Sequence, residues 1–122
     1  MSLRILAIDD SRSMRELLGA SLREAGFEVV TAEDGIDGID RLDTVAPDVV
    51  ITDINMPRLD GFGVIEAVRA SSCAASVPIL VLSTESGAEL KERARRSGAT
   101  GWIVKPFDDA RLISAIRRVA GG

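Results

Sequence analysis

The sequence predicts a doubly wound α/β domain built on a five-stranded parallel sheet. Three observations carry this: five short apolar runs recur along the 122 residues, the segments between them show helical spacing, and four of the five runs are nearly continuous rather than alternating. Strands covered on both faces read as unbroken apolar runs, and parallel neighbours need helical crossovers of fixed hand. A prior of about 150 residues per domain makes this one unit, long enough to bury a real core.

The elements follow in order. A first strand is expected over Ile5 to Ile8, ending on Asp9, Asp10 and Ser11, which also suit the start of a helix. Met14, Leu17, Leu18, Ser21, Leu22 and Ala25 form one apolar stripe, so the first helix should bury that face and stop at Gly26. Phe27 to Ala32 reads as the second strand, and Glu28 and Thr31 interrupt its apolar residues as at a sheet edge. Pro47 and Pro57 flank the region of the third strand, Val49 to Ile51, and Asp60 is a candidate cap for the helix that follows. Ser71 to Ser76 is the nearest thing to a flexible loop. Beyond Pro78, Ile79 to Leu82 is the fourth strand.

The fourth helix, Ala88 to Ser97, is the weakest amphipath. Leu90 and Ala94 are nearly its only interior apolar residues, against Lys91, Arg93, Arg95 and Arg96, so its docking should be marginal. Gly98 is a candidate C-cap, Trp102 to Val104 the fifth strand, and Pro106 and Asp108 precede a last helix striped by Leu112, Ile113, Ile116 and Val119. Five strands and five helices in so short a chain favour the flavodoxin-like order 2-1-3-4-5.

Composition then narrows the chemistry. There is no histidine, which excludes a Ser-His-Asp or Cys-His apparatus, a histidine metal site and an internal phosphohistidine. What remains is carboxylates, hydroxyls and lysine. The single cysteine, Cys73, permits no internal disulfide and suits a reducing, cytoplasmic setting. Met1-Ser2-Leu3-Arg4 ahead of a short apolar run does not resemble a signal peptide, and no run approaches spanning length. The net charge of −4 argues against bulk nucleic-acid affinity. Residues 1–87 hold 7 basic and 15 acidic side chains, whereas residues 88–122 hold 8 and 4, so a basic patch opposes an acidic pole. The reading is a single domain over 1–122, monomeric, ending at Gly121-Gly122 without an output domain.

Ligands of open α/β sheets sit beyond the carboxyl ends of the strands, at the switch point between strands one and three. Those ends carry Asp9 and Asp10, Asp53, Ser83 and Thr84, and Lys105. Carboxylates brought this close repel unless a cation neutralises them, and an all-oxygen set points to Mg²⁺ or Mn²⁺ rather than zinc. Taken singly, Asp9, Asp10 and Ser11 are ordinary caps, and Lys105 and Asp53 ordinary turn residues. Capping, however, needs one acid and does not explain Asp53 on the neighbouring strand.

Four stretches, I-D-D-S-R-S-M-R (Ile8 to Arg15), D-I-N-M-P-R-L-D-G (Asp53 to Gly61), Ser83 with Thr84 and Glu85, and G-W-I-V-K-P-F (Gly101 to Phe107), closely resemble the receiver domain of bacterial two-component response regulators. The similarity covers essentially the whole chain, and among receivers the single-domain chemotaxis (CheY) type is nearest. The resemblance implies that Asp53 accepts a phosphoryl group from a histidine kinase or phosphotransfer domain (CheA-like). It implies that Asp10, Asp53 and the Asn55 carbonyl ligate Mg²⁺ directly, with Asp9 acting through water. Lys105 and Ser83 would contact the phosphoryl oxygens, with Thr84 beside them.

Trp102 stands where the family usually has a Tyr or Phe that turns inward when the strand-four hydroxyl moves. Asn55 and Glu85 occupy the two positions that tune hydrolysis, and as polar residues they imply fast self-dephosphorylation. The implied output is a remodelled face of helix four, strand five and helix five, carrying Arg93, Arg95, Arg96, Arg117 and Arg118, for a partner such as the flagellar motor switch. The implied chemistry is that of a signalling phospho-acceptor, with autocatalytic phosphorylation and self-dephosphorylation only, rather than that of an enzyme.

Other readings fit less well. A phosphohydrolase of the haloacid dehalogenase type needs an acid two residues after its nucleophile, where this chain has Asn55. A flavin carrier needs a Gly, Ser and Thr-rich phosphate loop, where D-D-S-R-S would repel a phosphate. A receiver cut from a longer regulator is the remaining alternative.

Overall fold

The computed structural model describes residues 2–121; Met1 and Gly122, on which the expectations for the chain ends partly fall, lie outside them. The strands are β1 (Arg4–Ile8), β2 (Glu28–Ala32), β3 (Val49–Thr52), β4 (Ile79–Ser83) and β5 (Gly101–Val104). The helices are α1 (Arg12–Glu24), α2 (Gly35–Asp40), α3 (Leu42–Val45), α4 (Gly61–Ala70), α5 (Ala88–Ser97) and α6 (Asp109–Gly121). All strand pairs are parallel, in the order β2-β1-β3-β4-β5 that the sequence predicts.

The continuous apolar runs are explained by two cores, one on each side of the sheet. Successive strand side chains point to opposite faces, so Ile5 and Ala7 join Leu18, Leu22, Leu112 and Ile116 beneath α1 and α6. Leu6 and Ile8 join Val64, Ile65, Val68 and Ala94 on the other side. The register pairs Ile8 with Thr52, Thr52 with Val81 and Ser83 with Val104. The residue following each of β1 and β3 therefore emerges at the same edge, side by side.

Three expectations need correction. Among the described residues six helical segments replace five, because the second predicted helix breaks at Arg41. There the N–H reaches back to the Gly38 carbonyl at 3.2 Å, tightening the turn before Leu42. Leu17 does not join the buried stripe of α1 but stays 54% exposed; the inward arc is centred on Leu18 and Leu22, and Leu17 falls off its edge. Finally, the cap of α1 is Ala25, with Gly26 one position later at φ 96°. Asp60 and Gly98 do cap α4 and α5. Among the described residues no helix is long and apolar enough to cross a membrane.

Candidate functional site

Asp9, Asp10 and Asp53 meet at the carboxyl edge of β1 and β3, each able to offer one oxygen within 4.8 Å of the others. Asp9 is buried, at 2% exposure, and both its oxygens are occupied. Oδ1 accepts from the Ser11 N–H at 2.9 Å and Oδ2 from Lys105 Nζ at 2.8 Å. Lys105 donates also to Asp53 Oδ2 at 2.9 Å, while Asp53 Oδ1 accepts from the Ile54 N–H at 2.6 Å. Asp10, on the same turn, is exposed.

Lys105 thus spans strands β1 and β3 from the end of β5. Its side chain is only 9% exposed. Burial pulls its pKa down, but the hydrogen bonds it donates to Asp9 and Asp53 outweigh that and leave it above its ordinary value. The lysine is a charged ammonium whose position is set by two carboxylates.

The floor of the site is tight. A Cβ on Gly61 would overlap the Asp53 carbonyl oxygen, so only glycine lets the start of α4 pass directly under the end of β3. The Gly61 N–H closes the loop back onto the Ile54 carbonyl at 2.8 Å. Asn55 is exposed within that loop.

Ser83, at the end of β4, is fully buried, and its Oγ accepts from the Glu85 N–H at 3.2 Å. Thr84 and Glu85 are exposed. Trp102 is half-buried against the core that contains Ala94, and its Nε1 donates to the Glu85 carbonyl at 2.9 Å. The indole therefore lies along the β4–α5 connection. As expected, α5 is thinly docked: Ala94 alone is buried and its Gly87 N-cap offers no side-chain bond. Its C-terminal end is held more firmly. Arg69 donates to the Gly98 carbonyl at 3.0 and 2.8 Å and to the Val77 carbonyl at 2.6 Å. Burial pulls the Arg69 pKa below its ordinary value, though a guanidinium stays charged at neutral pH.

All five arginines of the expected basic face are exposed, and three of them already have partners within the protein. Arg93 turns toward α4 and stacks on Phe62, 3.8 Å from the ring centroid. Arg117 leans over Phe27 at 5.6 Å, and Arg95 pairs with Glu92. An aromatic face or a nearby carboxylate gives each of these exposed guanidinium groups a partner. Arg118 lines a groove of about 620 Å³ between β5 and α6 with Trp102, Val104 and Arg111.

Sequence reasoning missed Asp34 and Arg58. Asp34 caps α2 through the Asp37 N–H at 2.8 Å and accepts a fork from Arg58, Nε at 2.8 Å and Nη2 at 2.9 Å. The Asp37 N–H holds the Asp34 carboxyl below its usual range, and Arg58 reinforces it against the opposing effect of burial. Asp34 ahead of Gly35 is a legible helix-start signal; its partner 24 residues away is not. Arg15, which donates to the Asp9 carbonyl at 2.7 Å, was also missed.

The donor set suits a hard divalent cation. Three carboxylates share one edge, there is no histidine, and Asp10 is open to solvent. Lys105 shows that the cluster already recruits positive charge.

Comparisons with known proteins agree with this geometry. The family model described as the response regulator receiver domain matches residues 5–117. The protein PilG of Pseudomonas aeruginosa is 33% identical over 115 residues, spanning 94% of this chain and 85% of that protein. The transcriptional regulatory protein PrrA of Mycobacterium leprae is 38% identical over 114 residues, 93% of this chain, which spans only 48% of its length. Among solved structures, chemotaxis protein CheY4 of Vibrio cholerae superposes with a TM-score of 0.93 at 41% identity, covering 98% of this chain and 99% of that one. The receiver domain of sensor histidine kinase PA1611 from Pseudomonas aeruginosa, with a magnesium ion coordinated in its active-site cleft, reaches 0.92 at 26% identity over the full length of both.

Proposed function

Because this chain belongs to the family of response regulator receiver domains, we propose that it is a phosphorylation-driven switch whose acceptor is Asp53. Receiver domains are phospho-acceptor signalling domains rather than conventional enzymes. They bind Mg²⁺ at their acidic pocket and work with histidine kinases or phosphotransfer partners. The observation that carries the assignment to Asp53 is its position, paired with Lys105 and flanked by Asp9 and Asp10 at one sheet edge.

An Asp53 oxygen attacks the phosphorus of a donor phosphohistidine, the P–N bond breaks as the O–P bond forms, and the donor's histidine leaves. Water later hydrolyses the acyl phosphate, returning Asp53 and inorganic phosphate. Asp10, Asp53 and the Asn55 carbonyl would hold Mg²⁺, or Mn²⁺ in its place, which supplies charge neutralisation at the phosphoryl oxygens. Asp9, buried beside them in the same cluster, would act through water. Lys105 places its ammonium beside the acceptor oxygen, where negative charge accumulates. Ser83 would leave the Glu85 N–H to donate to a phosphoryl oxygen, with Thr84 adjacent. Asn55 and Glu85 would orient the hydrolytic water.

The output is proposed to be the α5–β5–α6 face. A phosphoryl group adds about −1.5 to −2 charge, and α5 is the element least able to resist rearrangement. The partner would be a CheA-like donor upstream and, downstream, a flagellar motor switch protein, with a phosphate-sink role as the competing use of the same site. The setting is proposed to be the cytoplasm, with the protein monomeric and binding neither nucleic acid nor membrane. The 48% coverage of PrrA favours a second reading, a receiver within a longer regulator, which an immunoblot for the natural protein's size would decide. The central test is labelled phosphate transfer from a phosphorylated kinase: wild type should accept it with Mg²⁺ present, and Asp53→Asn should not. Equal labelling of both would remove Asp53 as acceptor.

A further inference from the structure

Arg58 lies outside the acidic cluster, yet its backbone is held at φ 68°, where glycine is at ease and arginine is not. The Leu59 N–H donates to the Pro57 carbonyl at 2.8 Å across it, closing a tight turn. What offsets the conformation is the side chain. Its guanidinium forks onto Asp34, which is 7% exposed and already fixed as the cap of α2. The same junction is close-packed at the backbone: a Cβ on Gly35 would overlap the Leu59 carbonyl oxygen and lie 2.8 Å from the Leu59 Cβ.

The loop between β3 and α4 therefore has two fastenings. One is the Gly61 N–H on the Ile54 carbonyl, directly beneath Asp53; the other is Arg58 on Asp34. Asn55, Met56 and Pro57 are strung between them, with Asn55 and Pro57 exposed and Met56 half-buried. Met56 packs against the core, but burial does not hold the exposed Asn55 and Pro57 on either side of it. A site for Mg²⁺ tolerates little error in ligand position, so the outer fastening decides whether the Asn55 carbonyl stays where it is needed.

We infer that Arg58 is a positioning residue, acting through Asp34 to hold Asn55 in place against Asp53. This rests on the role proposed above for Asn55. Arginine rather than glycine occupies a left-handed turn position because its reach to α2 is the function.

Two substitutions separate positioning from folding. Arg58→Gly removes the guanidinium while relieving the backbone, and Asp34→Asn keeps a capping oxygen while removing the charge. In the metal-free protein, amide hydrogen exchange at Leu59 and Gly61, whose N–H groups donate to the Pro57 and Ile54 carbonyls, should quicken several-fold in both variants. Calorimetric titration with Mg²⁺ alone should show affinity roughly tenfold weaker, the low end for a residue that orients a ligand. The double variant should be no worse than either single, and Arg58→Lys should fall between wild type and Arg58→Gly. The thermal midpoint of Arg58→Gly should match or exceed wild type. Exchange and Mg²⁺ affinity within twofold of wild type would overturn the role while leaving the receiver reading intact. A thermal midpoint falling in parallel with Mg²⁺ affinity would make Arg58 merely structural and overturn it too. Failure of wild type to bind Mg²⁺ or accept phosphate would overturn the receiver reading itself.

Discussion

Trp102 Nε1 donates to the Glu85 carbonyl at 2.9 Å, so the fifth strand grips the loop that follows the fourth. The N–H of the same Glu85 donates to Ser83 Oγ. A Ser83 that turns toward a phosphoryl group on Asp53 releases one side of Glu85 and disturbs the other. Adding Mg²⁺ with a beryllofluoride phosphoryl mimic should therefore change the emission of the only tryptophan. An unaltered spectrum would remove Trp102 as a reporter of the switch.

Asn55 sits exposed two residues beyond the acceptor, where a polar side chain can hold a water in line. Replacing it with methionine should lengthen the life of the phosphorylated state by roughly tenfold, about 1.4 kcal/mol in the barrier. The measurement is decay of labelled protein after kinase removal; an unchanged half-life would dismiss the side chain from hydrolysis.

Removing the ammonium of Lys105 leaves the carboxylates of Asp9 and Asp53 facing one another in a confined edge. Lys105→Met should destabilise the metal-free protein by about 2 kcal/mol, the usual cost of stranding a buried acceptor. Urea denaturation should show Mg²⁺ restoring part of that loss. Stability equal to wild type without metal would mean the bridge contributes nothing.

Asp34 has its carboxyl held below the usual range by the Asp37 N–H and Arg58. A depressed folded-state pKa contributes stability above the unfolded value, near 3.9, and that contribution disappears as pH falls through the folded value. The difference in denaturation midpoint between wild type and Asp34→Asn should be level between pH 6 and 8, then shrink below about pH 4. A difference that persists undiminished in strong acid would contradict the charge-based account.

Arg93 stacked on Phe62 is one of few contacts that seat α5. Arg93→Ala should loosen that helix by about 0.5–1 kcal/mol, the range for an exposed cation–π pair. Amide exchange along α5 should accelerate while the central strands keep their protection. Equal acceleration throughout would point to global destabilisation instead.

Much of this molecule is legible without coordinates, for a local reason. The strand ends at Asp9, Asp53, Ser83 and Lys105 are marked by abrupt changes from apolar to polar, and parallel topology then brings such ends to one edge. Where contacts are long-range, the reading fails. The fork between Arg58 and Asp34 joins positions 24 residues apart, and Arg93, though exposed, stacks on Phe62 from a different helix. Leu17 carries an apolar side chain at helical spacing yet stays exposed, because the arc that α1 buries is narrower than its apolar stripe. The break at Arg41 depends on which carbonyl its N–H selects, a choice that periodicity does not encode.

The two ends of α5 are held unequally, with Arg69 gripping the Gly98 carbonyl at one and no side-chain cap at the other. That asymmetry limits how much free energy the switch requires. Carrying a two-state element from 1:99 to 99:1 takes about 5.5 kcal/mol of differential binding, which a few charge-assisted hydrogen bonds can supply and a well-packed helix would exceed. A helix seated by Ala94, half of Leu90 and one stacked arginine keeps the interval between its states within that reach. Strengthening its apolar face would leave the acidic edge able to receive its charge but with nothing downstream light enough to move.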